Sequence, residues 1–322
     1  MSTPFFSLII PVYNVAPYLD ACLQSIKIQQ FMDWEAILID DGSTDESGEI
    51  CDRYVLDDNR FRVFHKSNEG VSVARNIGIE NANGKWIWFI DSDDYIKPNA
   101  LKCLWDKANT YECDSIFFGI IEEKNGEVRN PDSNRTDIIG MDKNTFLLNI
   151  VSYYNPTILF CRKYFVSNQL EFTPELKLAE DLELQYKYLF FAQKPIQIAE
   201  SLYIYRKREG SAMNSKESHS HNLNCNMKVC MNLLQFIKTN NCPTSQWFTI
   251  RIRQLLKSGL QSAEKLPRKE LTGIRSQLRH IISEYAHAGY RDIADLTLKI
   301  AMTNLHLYFY CLRVFYKIKK IR

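Results

Sequence analysis

The sequence of 322 residues contains nine cysteines but no pair at CxxC spacing. An odd number of scattered thiols without a regular framework argues against a disulfide scaffold, and we expect reduced cysteines. No apolar run approaches the roughly 18 uninterrupted residues that suggest a membrane-spanning helix. The N-terminal apolar stretch, residues 5–12, is short, has no basic lead and contains Pro11, so it reads as a buried strand rather than a secretory signal. No glycine-rich, basic phosphate loop follows that strand; Pro11-Val12-Tyr13-Asn14 stands there instead, which weighs against nucleotidyl transfer. The six histidines show no metal spacing beyond His219-x-His221. That pair lies in a serine-rich stretch that suits either a solvated linker or a loop closing over a ligand. Internal repeats and low-complexity tracts are absent.

What is present is unevenly distributed. The formal net charge is +2, yet residues 219–322 hold 17 Lys/Arg against 5 Asp/Glu, and the rest of the chain holds 23 against 33. An acidic front and a basic back suggest two functional regions, the second facing something anionic. Hydrophobic residues at 45% and charged residues at 24% are ordinary for a globular protein.

The front half alternates strand-like and helix-like segments. Strand patterns cover 5–12, Trp34–Asp40, Phe61–His65 and 86–90, and helical patterns cover 18–29, 49–56 and Val71–Asn81. Strands that are apolar on both faces and alternate with helices imply an α/β fold with a largely parallel sheet under flanking helices. Residues 122–157 are polar and read as a loop or small excursion. Structure is expected to resume at Ile158–Cys161, with a helix over Glu180–Phe191 and a short strand at 201–206. From about Asn222 the pattern is helical, with breaks at 240–244 and near Pro267.

Open sheets bind ligands beyond the carboxyl ends of their strands. There the sequence places Pro11-Val12-Tyr13-Asn14, Asp40-Asp41-Gly42-Ser43-Thr44-Asp45 and Asp91-Ser92-Asp93-Asp94. Three carboxylates in four residues repel one another unless a cation or several donors compensate. The last motif is therefore either a divalent-metal site or an acidic turn capping a helix. The Asp40–Asp45 segment suits turn chemistry, or a carboxylate accepting the imide N–H of a uracil with Tyr13 packed on the base. Arg75, on the first turns of its helix, is either a solvated side chain or a phosphate contact.

Read together, the stretches SLIIPVYNVAPYLDACLQSI, WEAILIDDGSTDES, HKSNEGVSVARNIGIENANGKWIWFIDSDDYIKP and LAEDLELQYKYL resemble family 2 glycosyltransferases. The resemblance is dense for 5–120, sparser to about 215 and absent beyond. It implies a GT-A fold (Rossmann-like, mostly parallel sheet with flanking helices) followed by a helical C-terminal region. It divides the chain into a glycosyltransferase domain, 1–218, with nucleotide-sugar binding over 1–120 and acceptor binding and catalysis over 121–218, and a basic region, 219–322. Asp41 is then similar to the residue that binds the nucleobase, with Pro11, Tyr13 and Asn14 lining the pocket, and Arg75 and Ser92 beside the nucleotide. Asp91-x-Asp93 resembles the family's DxD motif, with Asp93 on Mn²⁺ or Mg²⁺ and Asp91 near the ribose. Asp181 matches the general base of an ED motif, although Glu180-Asp181 also suits a helix N-terminus. Arg206 or Arg208, in YIYRKREGSAM, is a looser candidate for the diphosphate.

The resemblance implies an inverting, metal-dependent hexosyl- or N-acetylhexosaminyltransferase, with a nucleotide-sugar donor (a UDP-sugar) and a glycan or lipid-linked oligosaccharide acceptor in cell-surface polysaccharide synthesis. The Gln-x-x-Arg-Trp motif of processive synthases is missing, so transfer of a single sugar is expected. A catalytically silent nucleotide-binding scaffold is the alternative. Residues 303–322 carry five basic residues, no acidic one and an aromatic-aliphatic stripe, which suits either contact with an anionic membrane surface or a docked final helix. A cytoplasmic protein on the inner face of the membrane is expected. No nucleic-acid recognition module is visible, and no nucleic acid partner is expected.

Overall fold

Four strands and their crossovers emerge where the apolar runs were read. The structure, a computed structural model, describes residues 3–149, 155–176, 178–208, 219–263, 273–294, 296–304 and 308. Strands β1 (Phe6–Val12), β2 (Trp34–Asp40), β3 (Phe61–His65) and β4 (Trp86–Phe89) are parallel, in the order β3-β2-β1-β4. The crossovers are α1 (Ala16–Lys27), α2 (Ser47–Asp57) and α3 (Val71–Asn81). Phe6 pairs with Trp34 on one side and Trp86 on the other, so three strands start level and their carboxyl ends share one edge. All seven residues of β2 are buried, because helices cover both faces and no polar alternation is needed. In α1, Leu19, Cys22, Leu23 and Ile26 recur at the spacing of one helical face, and all four are buried. Helix α3 lies directly on the sheet, since a Cβ at Gly78 would stand 2.3 Å from Ile9 and 3.2 Å from Ile39.

The sheet continues as β4-β8-β6-β9-β5, with β7 paired to β6. These strands are β5 (Tyr95–Ile96), β6 (Ser115–Lys124), β7 (Glu127–Arg129), β8 (Ile158–Cys161) and β9 (Pro195–Arg206). Here the sheet is mixed, as β8 runs antiparallel to both β4 and β6 whereas β9 is parallel to β6. Helices α4 (Ala100–Thr110), α5 (Lys143–Asn149) and α6 (Arg162–Asn168) complete this half. The polar excursion therefore has structure of its own. Strand β6 reaches Lys124 and turns through Asn125 and Gly126, both at positive φ, into β7. Beyond β7, Asp132 accepts the N–H of Ile120 at 2.9 Å and Asp137 that of Ala199 at 2.6 Å, which ties the segment to β6 and β9. Asp114 fastens the junction of β6, β8 and β9 by accepting the Tyr164 hydroxyl at 2.9 Å and the N–H of Lys194 at 3.0 Å.

The chain falls into two compact units, residues Met1–Glu175 with Lys187–Ser215, and Leu176–Tyr186 with Lys216–Arg322. Helix α7 (Glu180–Phe191) thus contributes to both. The second unit adds α8 (His219–Thr239), α9 (Gln246–Ala263), α10 (Ile274–His287) and α11 (Leu296–Thr303). The expected break at 240–244 falls between α8 and α9; the one near Pro267 lies outside the described residues. Leu233, Phe248, Leu256 and Ile281 are buried in this unit, and the Tyr285 hydroxyl donates to the Cys230 carbonyl at 2.5 Å. No described helix is long and apolar enough to cross a membrane. Of 303–322, only Thr303, Asn304 and Tyr308 are described, so the expected interfacial helix lies outside the described residues. The same holds for the side chains of His219 and His221.

Candidate active site

At the carboxyl edge of β2, the Asp40–Asp45 segment is held almost entirely by its own carboxylates. Asp40 accepts the N–H of Ser43 at 3.0 Å and pairs with His65 Nδ1 at 2.8 Å, while His65 Nε2 meets Asp52 at 3.1 Å. Those hydrogen bonds outweigh burial and hold the Asp40 carboxyl below its usual range; the bond to Asp40, with Asp52 beside it, raises the His65 imidazole. Asp45 accepts the N–H groups of Ala16 and Ser47, both at 3.0 Å, which joins the segment to the start of α1. Asn14, at φ 49°, donates its N–H to Ser43 Oγ at 3.1 Å and accepts the N–H of Thr44 at 2.8 Å. Gly42 has φ 74°, and a Cβ there would stand 2.8 Å from the Asn68 nitrogen, so the turn requires glycine.

Asp41 is 3% exposed and is the centre of this arrangement. Its Oδ1 accepts from Lys66 Nζ at 2.6 Å and from the Glu69 N–H at 2.9 Å, and its Oδ2 accepts the Gly70 N–H at 2.8 Å. A carboxylate offers about four acceptor positions, so these three leave one, on Oδ2. Tyr13, next to Asn14, is 47% exposed, an open aromatic face beside a buried carboxylate.

The Asp91–Asp94 turn is held differently. Arg75, buried on α3, donates to Asp91 Oδ1 at 3.0 Å, and its guanidinium lies 5.2 Å from the Phe172 ring centre. Asp93 Oδ2 accepts from Arg208 Nε at 2.6 Å. Asp94 is buried; its Oδ2 accepts the Tyr203 hydroxyl at 2.7 Å and its Oδ1 the Arg206 N–H at 2.8 Å. The same Tyr203 oxygen accepts the Asp91 N–H at 3.1 Å. Burial, with Asp91 and Asp93 close by, pushes the Asp94 carboxyl up to about 8. A carboxyl kept neutral adds no charge to a turn that already carries two. Ser92 is buried within the turn. Beneath it, Cys22 donates to the Asp91 carbonyl at 3.8 Å, and burial followed by the three aspartates holds that thiol well above its ordinary value.

Pro11, Tyr13, Asn14, Asp41, Arg75, Asp91 and Ser92, expected at the nucleotide, and Asp93, expected on the metal, thus lie along one edge of the first unit. A comparison with family models matches residues 7–167 to glycosyl transferase family 2. The glycosyltransferase GlyG of Streptococcus pneumoniae serotype 4 is 31% identical over 222 residues, which are 65% of this chain and 73% of that one. The chain belongs to this family. The uncharacterized glycosyltransferase EpsJ of Bacillus subtilis is 32% identical, and the match spans 65% of this chain and 62% of EpsJ, a little under two thirds of that relative's length. Among solved structures, S. aureus TarS 1-349 in complex with UDP-GlcNAc superposes with a TM-score of 0.68 at 22% identity, covering 95% of this chain and 88% of that one. The fold is GT-A.

Whether the turn suits the divalent ion implied by the family depends on its donor set. Among the described residues no group of three or more His, Cys, Asp or Glu side chains could hold an ion. Mg²⁺ and its like, however, are commonly bound through one or two carboxylates plus substrate phosphates and water. Asp93, its side chain 20% exposed, fits that mode as a single ligand. Asp181 lies on the first turn of α7, where its Oδ1 accepts the Leu182 N–H at 2.7 Å. It belongs to the second unit, together with the buried Glu183, which accepts from Asn232 at 3.1 Å. Ala179, just before this helix, sits at φ 61°, uncommon for a residue with a side chain.

Sequence reasoning missed Lys66, Tyr203 and Tyr18. Lys66 adjoins a motif and carries a signal of sorts, a cation beside Asn68-Glu69-Gly70. Tyr203 lies 109 residues from the Asp94 it bonds, and no local pattern announces such a pair. The Tyr18 ring, on α1, lies 5.4 Å from the Arg206 guanidinium and 5.0 Å from that of Arg208.

Proposed function

We propose that this family 2 glycosyltransferase transfers a single sugar from a UDP-sugar to a hydroxyl of a glycan or lipid-linked acceptor, with inversion, in cell-surface polysaccharide synthesis. The observation that carries this is the meeting of an exposed aromatic, a buried carboxylate with one acceptor position left, and a carboxylate turn flanked by guanidinium groups, at a single sheet edge. A uracil packs on Tyr13 and donates its imide N–H to Asp41. Asp91 stands toward the ribose, with Arg75 orienting it. TarS carries UDP-GlcNAc, which favours uridine among the bases. A hexose or N-acetylhexosamine is the sugar proposed.

In transfer, Asp181 takes the proton of the acceptor hydroxyl as its oxygen forms a bond to the anomeric carbon. The bond from that carbon to the phosphate oxygen breaks, and UDP leaves with the electron pair. Asp93 would hold Mn²⁺ or Mg²⁺, which when bound would supply charge stabilisation to the diphosphate. Support for Asp181 is its motif, Glu180-Asp181 at the start of α7, rather than a distance. A lipid-linked acceptor at the cytoplasmic membrane surface agrees with the basic, aromatic composition of 303–322.

Thermal-shift titration with UDP, GDP, TDP and CDP, each with and without Mn²⁺, tests the donor. Selective stabilisation by UDP with Mn²⁺ is expected, and its absence in Asp93→Asn. Among UDP-sugars, the true donor should then yield free UDP on transfer. Asp181→Asn should bind UDP as the parent does and lose about 10²–10⁴ in turnover. A well-folded protein that UDP stabilises but that releases UDP from no UDP-sugar would favour the scaffold alternative, and one that no nucleotide stabilises would overturn the donor assignment.

A further inference from the structure

Arg208 occupies the one carboxylate of the Asp91–Asp94 turn that the metal assignment needs. Its Nε lies 2.6 Å from Asp93 Oδ2, a short charge-assisted contact, and the two side chains are only 25% and 20% exposed. The position is braced from the other side. Arg208 lies 5.0 Å from the centre of the Tyr18 ring, whose negative face attracts a guanidinium. The neighbouring carboxylates offer an arriving cation little. Asp91 is bonded to Arg75, and both oxygens of Asp94 already accept hydrogen bonds, from Tyr203 and Arg206. A divalent ion binds a carboxylate oxygen at about 2.0–2.1 Å when it is Mg²⁺. A guanidinium and such an ion on one carboxylate repel each other, so each weakens the other's hold on Asp93.

We propose that Arg208 and the divalent cation compete for Asp93, so that the protein without nucleotide disfavours the bare ion and accepts it together with a diphosphate. This rests on the assignment of Asp93 as the metal ligand made above. An ion arriving alone gains one carboxylate and must displace a paired, ring-backed guanidinium. An ion arriving on a nucleoside diphosphate brings further oxygen ligands, and the same displacement then costs a smaller share of its binding. Arg208 is in this sense a positioning residue. It sets when Asp93 becomes available, through a contact that lies within the first unit.

The apparent affinity for the bare ion is the intrinsic one reduced by the fraction of molecules in which Asp93 is open. Electron paramagnetic resonance counts free Mn²⁺ directly, without nucleotide and without turnover, in the full chain. Arg208→Gln should bind Mn²⁺ about tenfold more tightly than the parent, equivalent to about 1.4 kcal/mol. Tyr18→Ala, which removes the brace and keeps the cation, should tighten binding by a smaller factor. Arg208→Lys, which keeps a charge at the same place, should remain near the parent. Adding Asp93→Asn to Arg208→Gln should abolish the gain. Mn²⁺ binding that is equal or weaker in a folded Arg208→Gln protein overturns the competition. If Asp93→Asn weakens Mn²⁺ binding while Arg208→Gln does not strengthen it, Asp93 remains a ligand and only the competition is disproved. If Asp93→Asn leaves the affinity of Arg208→Gln intact, the ion sits elsewhere and both assignments fall.

Discussion

The two acidic segments at the sheet edge have similar compositions and opposite constructions. In the segment after β2, the carboxylates of Asp40, Asp41 and Asp45 receive five backbone N–H groups: those of Ser43, Glu69, Gly70, Ala16 and Ser47. In the segment after β4, Asp91 and Asp93 face the guanidinium groups of Arg75 and Arg208. Backbone donors belong to the fold and do not leave without local unfolding. The partly exposed guanidinium of Arg208 can swing away from Asp93 and be exchanged for another cation, whereas that of Arg75 is buried against Asp91. The first segment is therefore a frame and the second holds an exchangeable contact at Asp93, although both read in sequence as aspartates with serine in a turn.

The sharpest way to break this contrast is to strain the frame. Gly42→Ala places a side chain in the left-handed region and against the Asn68 backbone. We expect it to cost about 3 kcal/mol in urea unfolding and to abolish nucleotide-dependent stabilisation. Next is Asp41→Asn, which sets an amide N–H₂ against backbone donors and should cost about 2 kcal/mol. Asp93→Asn, the matching change in the other segment, should stay within about 0.5 kcal/mol of the parent by the same measurement, because its partner is a partly exposed side chain. Equal losses for the two would erase the distinction.

The smallest effect concerns His65, a side-chain partner of Asp40 within the frame. Its raised pKa means that its contribution is complete below the usual imidazole value and fades as pH rises through the raised one. The lowered Asp40 pKa means that the carboxylate contributes above the usual carboxyl range and fades as pH falls through the lowered value. The melting temperature of His65→Gln should therefore lie slightly below the parent between those limits and converge with it on the alkaline side. A difference that persists at high pH would mean that the imidazole acts by packing rather than by charge.

Much of this was legible in sequence where function and local pattern coincide. The runs at Trp34–Asp40 and Phe61–His65 are the strands observed, since apolar stretches bounded by polar turns admit little else. The helix read over 18–29 begins earlier, at Ala16, because Pro17 suits a first turn and Ser47 meets the Val15 N–H at 2.9 Å. Strand β9 starts at Pro195, six residues ahead of the reading, because Gln197 and Glu200 interrupt its apolar pattern. Its first residues are held by partners on β6. Strand β5, two residues long, has no periodicity to read. At the site, Asp41 and Asp93 could be named from their motifs, but their partners could not. Lys66 reaches Asp41 across 25 residues of chain, Arg208 reaches Asp93 across 115, and Tyr203 reaches the neighbouring Asp94 across 109, and only the folded sheet brings those segments together.

Gly78 sets a dimension as well as filling a position. With a methyl group at 78 unable to fit over Ile9 and Ile39, α3 rests directly on those two side chains of the sheet. Arg75, one turn earlier on the same helix, takes its depth from that contact. The helix works as a spacer of fixed thickness, and the reach of a guanidinium toward Asp91 is set by an apolar contact three residues away. The charge geometry at the edge of the sheet is thus adjustable from inside the core, by changes that touch no charged residue.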